Sequence, residues 1–454
     1  MNEYQKFLES KRQLSGEYGF DPLWIPDQAF DFQRHLIQWA CRKGRAAIFA
    51  DCGLGKSLMQ LAWAENVARK TNGNVLILTP LAVSHQTVKE AEKFGIECTK
   101  SSDGKIHSKI TVTNYERLHY FDSKKFQGVV CDESSILKNF DGKIKSAVTE
   151  FMREIKYRLL CTATAAPNDF IELGTSAEAL SHMGFMDMIG RFFKKTGSTT
   201  SRKDETRSGT FHLKPHAQRD FWRWVVSWSR ALRKPSDLGF SDFAHNLPEL
   251  ITNQHIVQCR TKNPEYLFDM PAAGLQEQRA ERSRSVNERC EMASEIINSK
   301  KSQAIAWCYL NKESDILKSL IQDSKEVKGS DSDEYKEEVF KSFESGETKC
   351  IVTKPTIAGF GLNWQNCNRM TFFPSHSFEQ WYQAIRRCWR FGQKEKVIVD
   401  VISSEGESDV LRNLKRKSHQ AETMFKNMVE LMQNELNIKV VDNHKTQTEL
   451  PSWL

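Results

Sequence analysis

The sequence predicts an α/β protein built on two doubly wound parallel sheets, and three observations predict it. Short apolar, β-rich runs alternate with helical patterns, the alternation occurs in two separate blocks, and the first run leads straight into a glycine-rich turn. In the first block the runs are residues 46–49 (AAIF), 75–78 (VLIL), 110–113 (ITVT), 129–131 (VVC) and 158–161 (RLLC), with a helical stretch over 58–70. The second block has 303–308 (QAIAWC), 350–353 (CIVT), 370–373 (MTFF) and 397–402 (VIVDVI). Runs this apolar suit parallel strands buried on both faces. Between the blocks, residues 166–246 have a different character and predict a basic helical insertion, with a polar, mobile loop at 197–209. Apolar residues at helical spacing from 408 to about 436 (Leu411, Leu414, Ala421, Phe425, Met428, Leu431) predict a packing helix, and residues past 439 should be loosely held. The expected division is an extension at 1–27, a first lobe at 28–165, the insertion at 166–246, a second lobe at 247–405 and a helix with tail at 406–454.

Composition bounds the class. A chain of 454 residues suffices for two or three domains, and 39% hydrophobic with 27% charged residues is ordinary for a globular protein. No apolar stretch is long enough to span a membrane, and MNEYQKFLESKRQ lacks a signal-peptide core. The eleven cysteines are scattered without a CxxC pair or zinc spacing, so free thiols in a reducing cytoplasm are expected, with no structural zinc. The net charge of +7 is uneven: residues 186–235 hold twelve Lys or Arg against four Asp or Glu. That excess points to a polyanion at one place.

The glycine-rich turn reads ADCGLGKS, Ala50 to Ser57. In such a loop the backbone N–H groups wrap the phosphates of a nucleotide, Lys56 reaches the same phosphates, and the Ser57 hydroxyl ligates magnesium. Gly53 and Gly55 let the backbone approach the anion, and the following helix offers its positive end. The first glycine of the common GxxxxGK[ST] pattern is Ala50 here, so a plain turn before a helix is the competing reading. Residues 129–133 are an apolar strand ending in Asp132 and Glu133. At a sheet's carboxyl edge Asp132 can hold magnesium through water and Glu133 can polarise the water that attacks the γ-phosphate. Taken alone, an exposed acidic strand end explains the pair equally well. Thr162-Ala163-Thr164 follows the next strand and says little by itself. In the second block, Arg387 and Arg390 stand three apart and would share a helix face, fit to stabilise charge on a phosphoryl group as arginine fingers do. The competing reading is a basic surface helix or nucleic-acid patch.

The order FDFQ, ADCGLGKS, LILTPLAVSHQ, TNYE, DESS, TAT, AGFGLN and QAIRRCWRFGQ resembles the superfamily 2 helicase-like ATPases. The closing QxxxRxxRxGQ string resembles their Snf-type (Swi/Snf) branch, in a compact form like those of phages and prophages. The resemblance covers roughly residues 28–405. It implies two RecA-like lobes with ATP and magnesium at their interface. Gln33 would read adenine with support from Phe30 or Phe32. Lys56, Ser57, Asp132 and Glu133 match the nucleotide and magnesium site, Arg387 and Arg390 the two fingers, and Gln383 the glutamine near the attacking water. Thr79 and Pro80 match the DNA-tracking motif, while Gly359, Gly361 and Asn363 match a second-lobe motif that touches nucleotide and strand. Two departures are visible: the family's GGxGxN is AGFGLN, preceded by Lys354 and Thr356, and the acid motif ends in Ser134-Ser135.

Residues 217–233 read as one helix with Phe221, Trp224, Val225 and Trp228 on one face and Arg219, Arg223 and Arg230 on the other. The aromatics predict core packing. The arginines suit either a solvated face or, by preference, a duplex-backbone contact, to which Lys194, Lys195, Arg202 and Lys203 would add. The expected function is a DNA-dependent ATPase that translocates on duplex DNA. Its rivals are a strand-separating helicase on DNA or RNA, and an ATP-gated DNA-binding scaffold that recruits a methylase or nuclease. A monomer in the cytoplasm of a bacterium or phage-infected cell is expected, with no membrane partner.

Overall fold

The computed structural model describes residues 18–195, 211–242, 247–259, 281–358 and 362–441. The chain divides into two compact units, Met1–Asp242 with Ala421–Leu454, and Phe243–Gln420. Each is organised around its own parallel sheet. Among the described residues no helix is long and apolar enough to cross a membrane.

In the first unit, helix α1 (Asp31–Lys43) leads into strand β1 (Arg45–Ala50), which is buried from Ala46 onward. Helix α2 (Lys56–Thr71) follows, then β2 (Asn74–Thr79), α3 (Ser84–Lys93), β3 (Cys98–Lys100), β4 (Ile110–Asn114) and β5 (Phe126–Asp132). Helix α4 (Lys143–Arg153) and β6 (Tyr157–Cys161) complete the apolar alternation seen in the sequence. With β9 (Ser229–Leu232) on its far edge, the strand order is β3-β4-β2-β5-β6-β1-β9, parallel throughout. The chain starts at β1 and crosses past β6 and β5 to β2, which puts a topological switch beside β1, the place where ligands sit in such sheets.

Residues 166–195 and 211–228 supply α5 (Leu173–Ala179), α6 (Phe185–Phe192), the antiparallel pair β7 (Phe193–Lys195) and β8 (Phe211–Leu213), and α7 (Gln218–Trp228). The expected single helix over 217–233 requires correction. It stops at Trp228, and Ser229–Leu232 extends as β9, registered on β1 from Ala47↔Ser229 to Ala50↔Leu232. Pairing with β1 overrides the helical periodicity of the segment, so this part of the 166–246 region belongs to the first sheet and not to a helical insertion. The expected loop at 197–209, with Arg202 and Lys203, lies outside the described residues.

The second unit contains β10 (Leu250–Val257), α8 (Val286–Asn298), β11 (Ala304–Trp307), α9 (Asn311–Leu320), β12 (Ser324–Val327), α10 (Asp333–Glu344) and β13 (Cys350–Thr353). Then come α11 (Pro355–Ala358), β14 (Arg369–Phe372), α12 (Phe378–Ile385) and β15 (Val397–Ser404), giving the order β10-β15-β14-β11-β13-β12, again parallel. Helix α13 (Ser408–Val441) is the last described element. Its Met424, Phe425, Met428 and Met432 enter the core of the first unit, where the Ala231 N–H donates to the Met432 sulfur at 3.4 Å.

Candidate nucleotide and nucleic-acid site

The turn at residues 51–55 lies at the carboxyl end of β1 and feeds α2, whose preceding Gly55 offers no side-chain cap. The first N–H groups of this helix are therefore left for an anion. Gly55 adopts φ +76°, a backbone conformation that favours glycine, and a Cβ there would stand 2.3 Å from Gln33 Nε2 and displace that amide. Lys56 Nζ donates to the carbonyl oxygens of Ala50 at 2.9 Å and Asp51 at 3.3 Å, folding back over its own loop. Ser57 stands half-buried one residue into α2.

Gln33 connects α1 to this loop. Its Nε2 donates to Leu54 O at 2.9 Å and its Oε1 accepts the Phe30 N–H at 3.0 Å, leaving the side chain 4% exposed. Phe30 remains 44% exposed and stacks on buried Phe32, with centroids 6.1 Å apart. Phe30 is thus the ring with a face to offer a base.

The acid pair sits where β5 ends. Gln60, one turn into α2, donates through Nε2 to Asp132 Oδ1 at 2.6 Å, tying α2 to the acidic strand end. The Tyr115 hydroxyl donates to the Asp132 carbonyl at 2.6 Å. Burial pushes the Asp132 carboxyl above the usual carboxylate range, against the Gln60 hydrogen bond and the charge of Lys56, which pull it down. Glu133 occupies the left-handed region at φ 49°, ψ 52°, a conformation costing a non-glycine residue roughly 1 kcal/mol or more. Such outliers concentrate at functional sites. Its Oε2 accepts from the Thr162 hydroxyl at 3.2 Å, and Thr162 Oγ1 also accepts the Thr164 N–H at 3.0 Å. The Thr-Ala-Thr turn therefore orients Glu133. Among the described residues no three His, Cys, Asp or Glu side chains converge to hold a metal. One hydroxyl and one carboxylate, Ser57 and Asp132, form an oxygen donor set that fits magnesium carried chiefly by phosphate and water.

In the second unit the arginines lie beyond α12, in the turns after Ile385, so the reasoning from a shared helix face does not hold. They converge differently. Arg387 Nη1 and Arg390 Nη1 both donate to Leu362 O, at 2.9 and 3.2 Å. Arg387 also binds Gln383, Nε to its carbonyl at 3.0 Å and Nη2 to its Oε1 at 2.9 Å. Gln383 is wholly buried, so it holds Arg387 in place and does not present its amide to solvent. Asn363 directly follows Leu362, and among the described residues its enclosed Oδ1 finds no hydrogen-bond donor. Gly359 and Gly361 lie outside the described residues.

The expected strand-tracking residues fare unequally. Thr79 is fully buried, with its hydroxyl 3.0 Å from Ser84 Oγ, and Ser84 in turn donates to Asn114 Oδ1 at 2.5 Å; Pro80 is half-buried. Thr79 shapes the loop from inside. On α7, Arg219 and Arg223 are exposed while Phe221, Trp224, Val225 and Trp228 are buried. Arg230 does not continue their row. It lies in β9, half-buried over the Trp39 ring at 4.5 Å, with Nη1 donating to Ser229 O at 3.0 Å. Sequence reasoning missed Gln60, Tyr115 and Leu362; the first lies four residues after Lys56, a helical spacing that could have flagged it, and the last acts through its backbone alone.

Residues 288–392 match the helicase conserved C-terminal domain. No curated protein sequence matches the chain. A solved structure similar in fold is the Sulfolobus solfataricus SWI2/SNF2 ATPase core in complex with dsDNA, at 19% identity and a TM-score of 0.41, covering 91% of this chain and 96% of that one. The helicase conserved C-terminal domain thus lies within the second unit, while the first unit is built on a parallel sheet of its own.

Proposed function

We propose that the protein is a nucleic-acid-dependent ATPase that uses ATP hydrolysis to translocate on DNA, with duplex DNA as the preferred track. The observation that carries this reading is the Gln60–Asp132 hydrogen bond of 2.6 Å, which assembles the phosphate-loop helix and the acidic strand end into one site. Lys56 exchanges its loop carbonyls for the β- and γ-phosphates. Glu133, oriented by Thr162, accepts the proton of the attacking water. Magnesium, when bound by Ser57 and Asp132, neutralises phosphate charge. Arg387, braced by Gln383, and Arg390 neutralise charge on the transferring phosphoryl group. Phe30 supports the base, and Gln33 reads it by exchanging its bonds to Leu54 O and the Phe30 N–H for the base edge.

Exposed Arg219 and Arg223, with Lys194 and Lys195, form the sequence-independent track on phosphates. The test is a set of ATPase assays run in parallel with no nucleic acid, single strands, duplex DNA and duplex RNA. Strongest stimulation by duplex DNA without strand displacement supports translocation. Displacement of a labelled strand would make the protein a helicase. Turnover absent under all four conditions would leave only a binding scaffold, and a methylase or nuclease partner would then be sought.

A further inference from the structure

The loop after β9 carries a cation that neither the motifs nor the helicase domain assign. The Asp51 N–H donates to Leu232 O at 3.0 Å, continuing the β1–β9 ladder into the phosphate loop. Asp51 is thus bonded on both sides, through its carbonyl to Lys56 and through its N–H to the last residue of β9. Arg233 is the next residue. Its guanidinium lies 4.6 Å from the centroid of Phe425, on the part of α13 that packs in the first unit, and its Nε is enclosed without an acceptor. Among the described residues that guanidinium makes no hydrogen bond or ion pair. The acid four residues on, Asp237, accepts the backbone N–H groups of Arg233 and Lys234 instead, at 2.7 and 3.1 Å.

Desolvating part of a guanidinium without an acceptor is unfavourable. Here it occurs at the carboxyl edge of the sheet, one residue beyond the bond that anchors the phosphate loop. A planar fork held against a ring is suited to phosphate, and its stacking on Phe425 limits the freedom lost on binding. We propose that Arg233 is a ligand of the nucleotide's phosphate chain, reaching it from the β9 side while Lys56 reaches it from α2. This rests on the reading of residues 50–57 as a nucleotide site. It also makes Phe425 a positioning residue for that site.

The test is fluorescence titration of the full chain with mant-ATP and mant-AMP, comparing the unaltered protein with Lys56→Ala, Arg233→Met and Arg233→Lys. Met keeps the apolar stem against Phe425 and removes the charge. Arg233→Met should weaken mant-ATP binding about tenfold to a hundredfold, the range of one charged hydrogen bond, and mant-AMP binding by less than about threefold. In steady state KM for ATP should rise far more than kcat falls. Arg233→Lys, which keeps charge but loses the fork, should fall between. If Lys56→Ala weakens mant-ATP binding while Arg233→Met leaves it within about twofold, Arg233 merely braces Phe425 and the proposal fails alone. Equal losses for both nucleotides would also overturn it. Should Lys56→Ala be without effect too, the phosphate-loop reading itself falls. If Arg233→Met does not fold, Arg233→Lys decides, because unchanged mant-ATP affinity in that variant contradicts a phosphate contact.

Discussion

The two units hold the cations of the proposed site in opposite ways. In the first, Lys56 is a flexible ammonium resting on two carbonyls of its own loop, while the groups around it are fixed: Gln60 on Asp132, Thr162 on Glu133. In the second, the cation itself is fixed. Arg387 is enclosed and donates three hydrogen bonds, two to Gln383 and one to Leu362. An ammonium on a four-carbon stem can swing from carbonyl to phosphate at little cost, whereas a bonded guanidinium is already oriented. In the proposed function, the first unit captures a nucleotide and the second presents preset charge.

The sharpest way to break this comparison is at the acid pair. Glu133→Gln should abolish turnover while keeping ATP bound, since it removes a proton acceptor and no phosphate contact. Lys56→Ala should abolish turnover by losing ATP. Binding and turnover measured side by side separate the two, and near-normal turnover in Glu133→Gln removes that residue from catalysis. Next in size, Arg387→Ala and Arg390→Ala should each lower kcat by about 10³-fold with nucleotide-free DNA affinity unchanged. Collapse of DNA binding with kcat retained would make them a nucleic-acid patch. Gln383→Ala should have a smaller effect, about tenfold on kcat, because Arg387 keeps its bond to Leu362; a loss as large as that of Arg387→Ala would return Gln383 to direct chemistry.

A milder effect is expected on the basic face. Replacing Arg219 and Arg223 with Gln should weaken duplex binding across all sequences and reduce the salt slope by roughly one unit per lost contact. Arg230→Gln should leave the slope alone, since that side chain packs on Trp39. An unchanged slope in the double variant would mean a solvated face. The smallest effect concerns acid stability. Burial pushes His182, in the first unit, down to about 3 from an ordinary 6.5. The unfolded chain takes the proton more readily, so stability is complete above pH 6.5 and lost as pH falls from there towards 3, by about 1.4 kcal/mol per unit once well below 6.5. Denaturant melts at pH 7 and 5 should show that loss, and His182→Gln should flatten it.

What the sequence made legible was whatever rests on apolar runs and on side chains in fixed order. The buried strands were readable because a parallel strand covered on both faces needs continuous hydrophobicity, as in NVLILT and CIVT. β12, reading SKEV, and β10, reading LITNQHIV, were not, because edge strands carry polar residues. β9 was hidden for another reason. SRAL follows the helix Gln218–Trp228 without a turn residue and takes its form from β1. Within the site, Lys56, Asp132 and Glu133 could be named from their strings. Gln60 belongs to no string, Tyr115 lies in TNYE with nothing there to show that its hydroxyl reaches the Asp132 carbonyl, and the carbonyl on which Arg387 and Arg390 meet has no residue signature.

The covering of β9 by Met432 has a consequence for the order in which this protein can be made. Residues up to Asp242 supply the whole first sheet, yet the part of α13 that caps its last strand, from Ala421 onward, comes only after Phe243–Gln420 has been synthesised. At ordinary elongation rates that interval is roughly ten to forty seconds. Throughout it, a nascent chain carries a complete parallel sheet with one unprotected hydrogen-bonding edge, a surface open to mispairing with neighbouring chains. The second unit, contiguous in sequence, has no such interval. Premature termination before residue 421 should accordingly yield a first unit that aggregates through β9, whatever the state of the second.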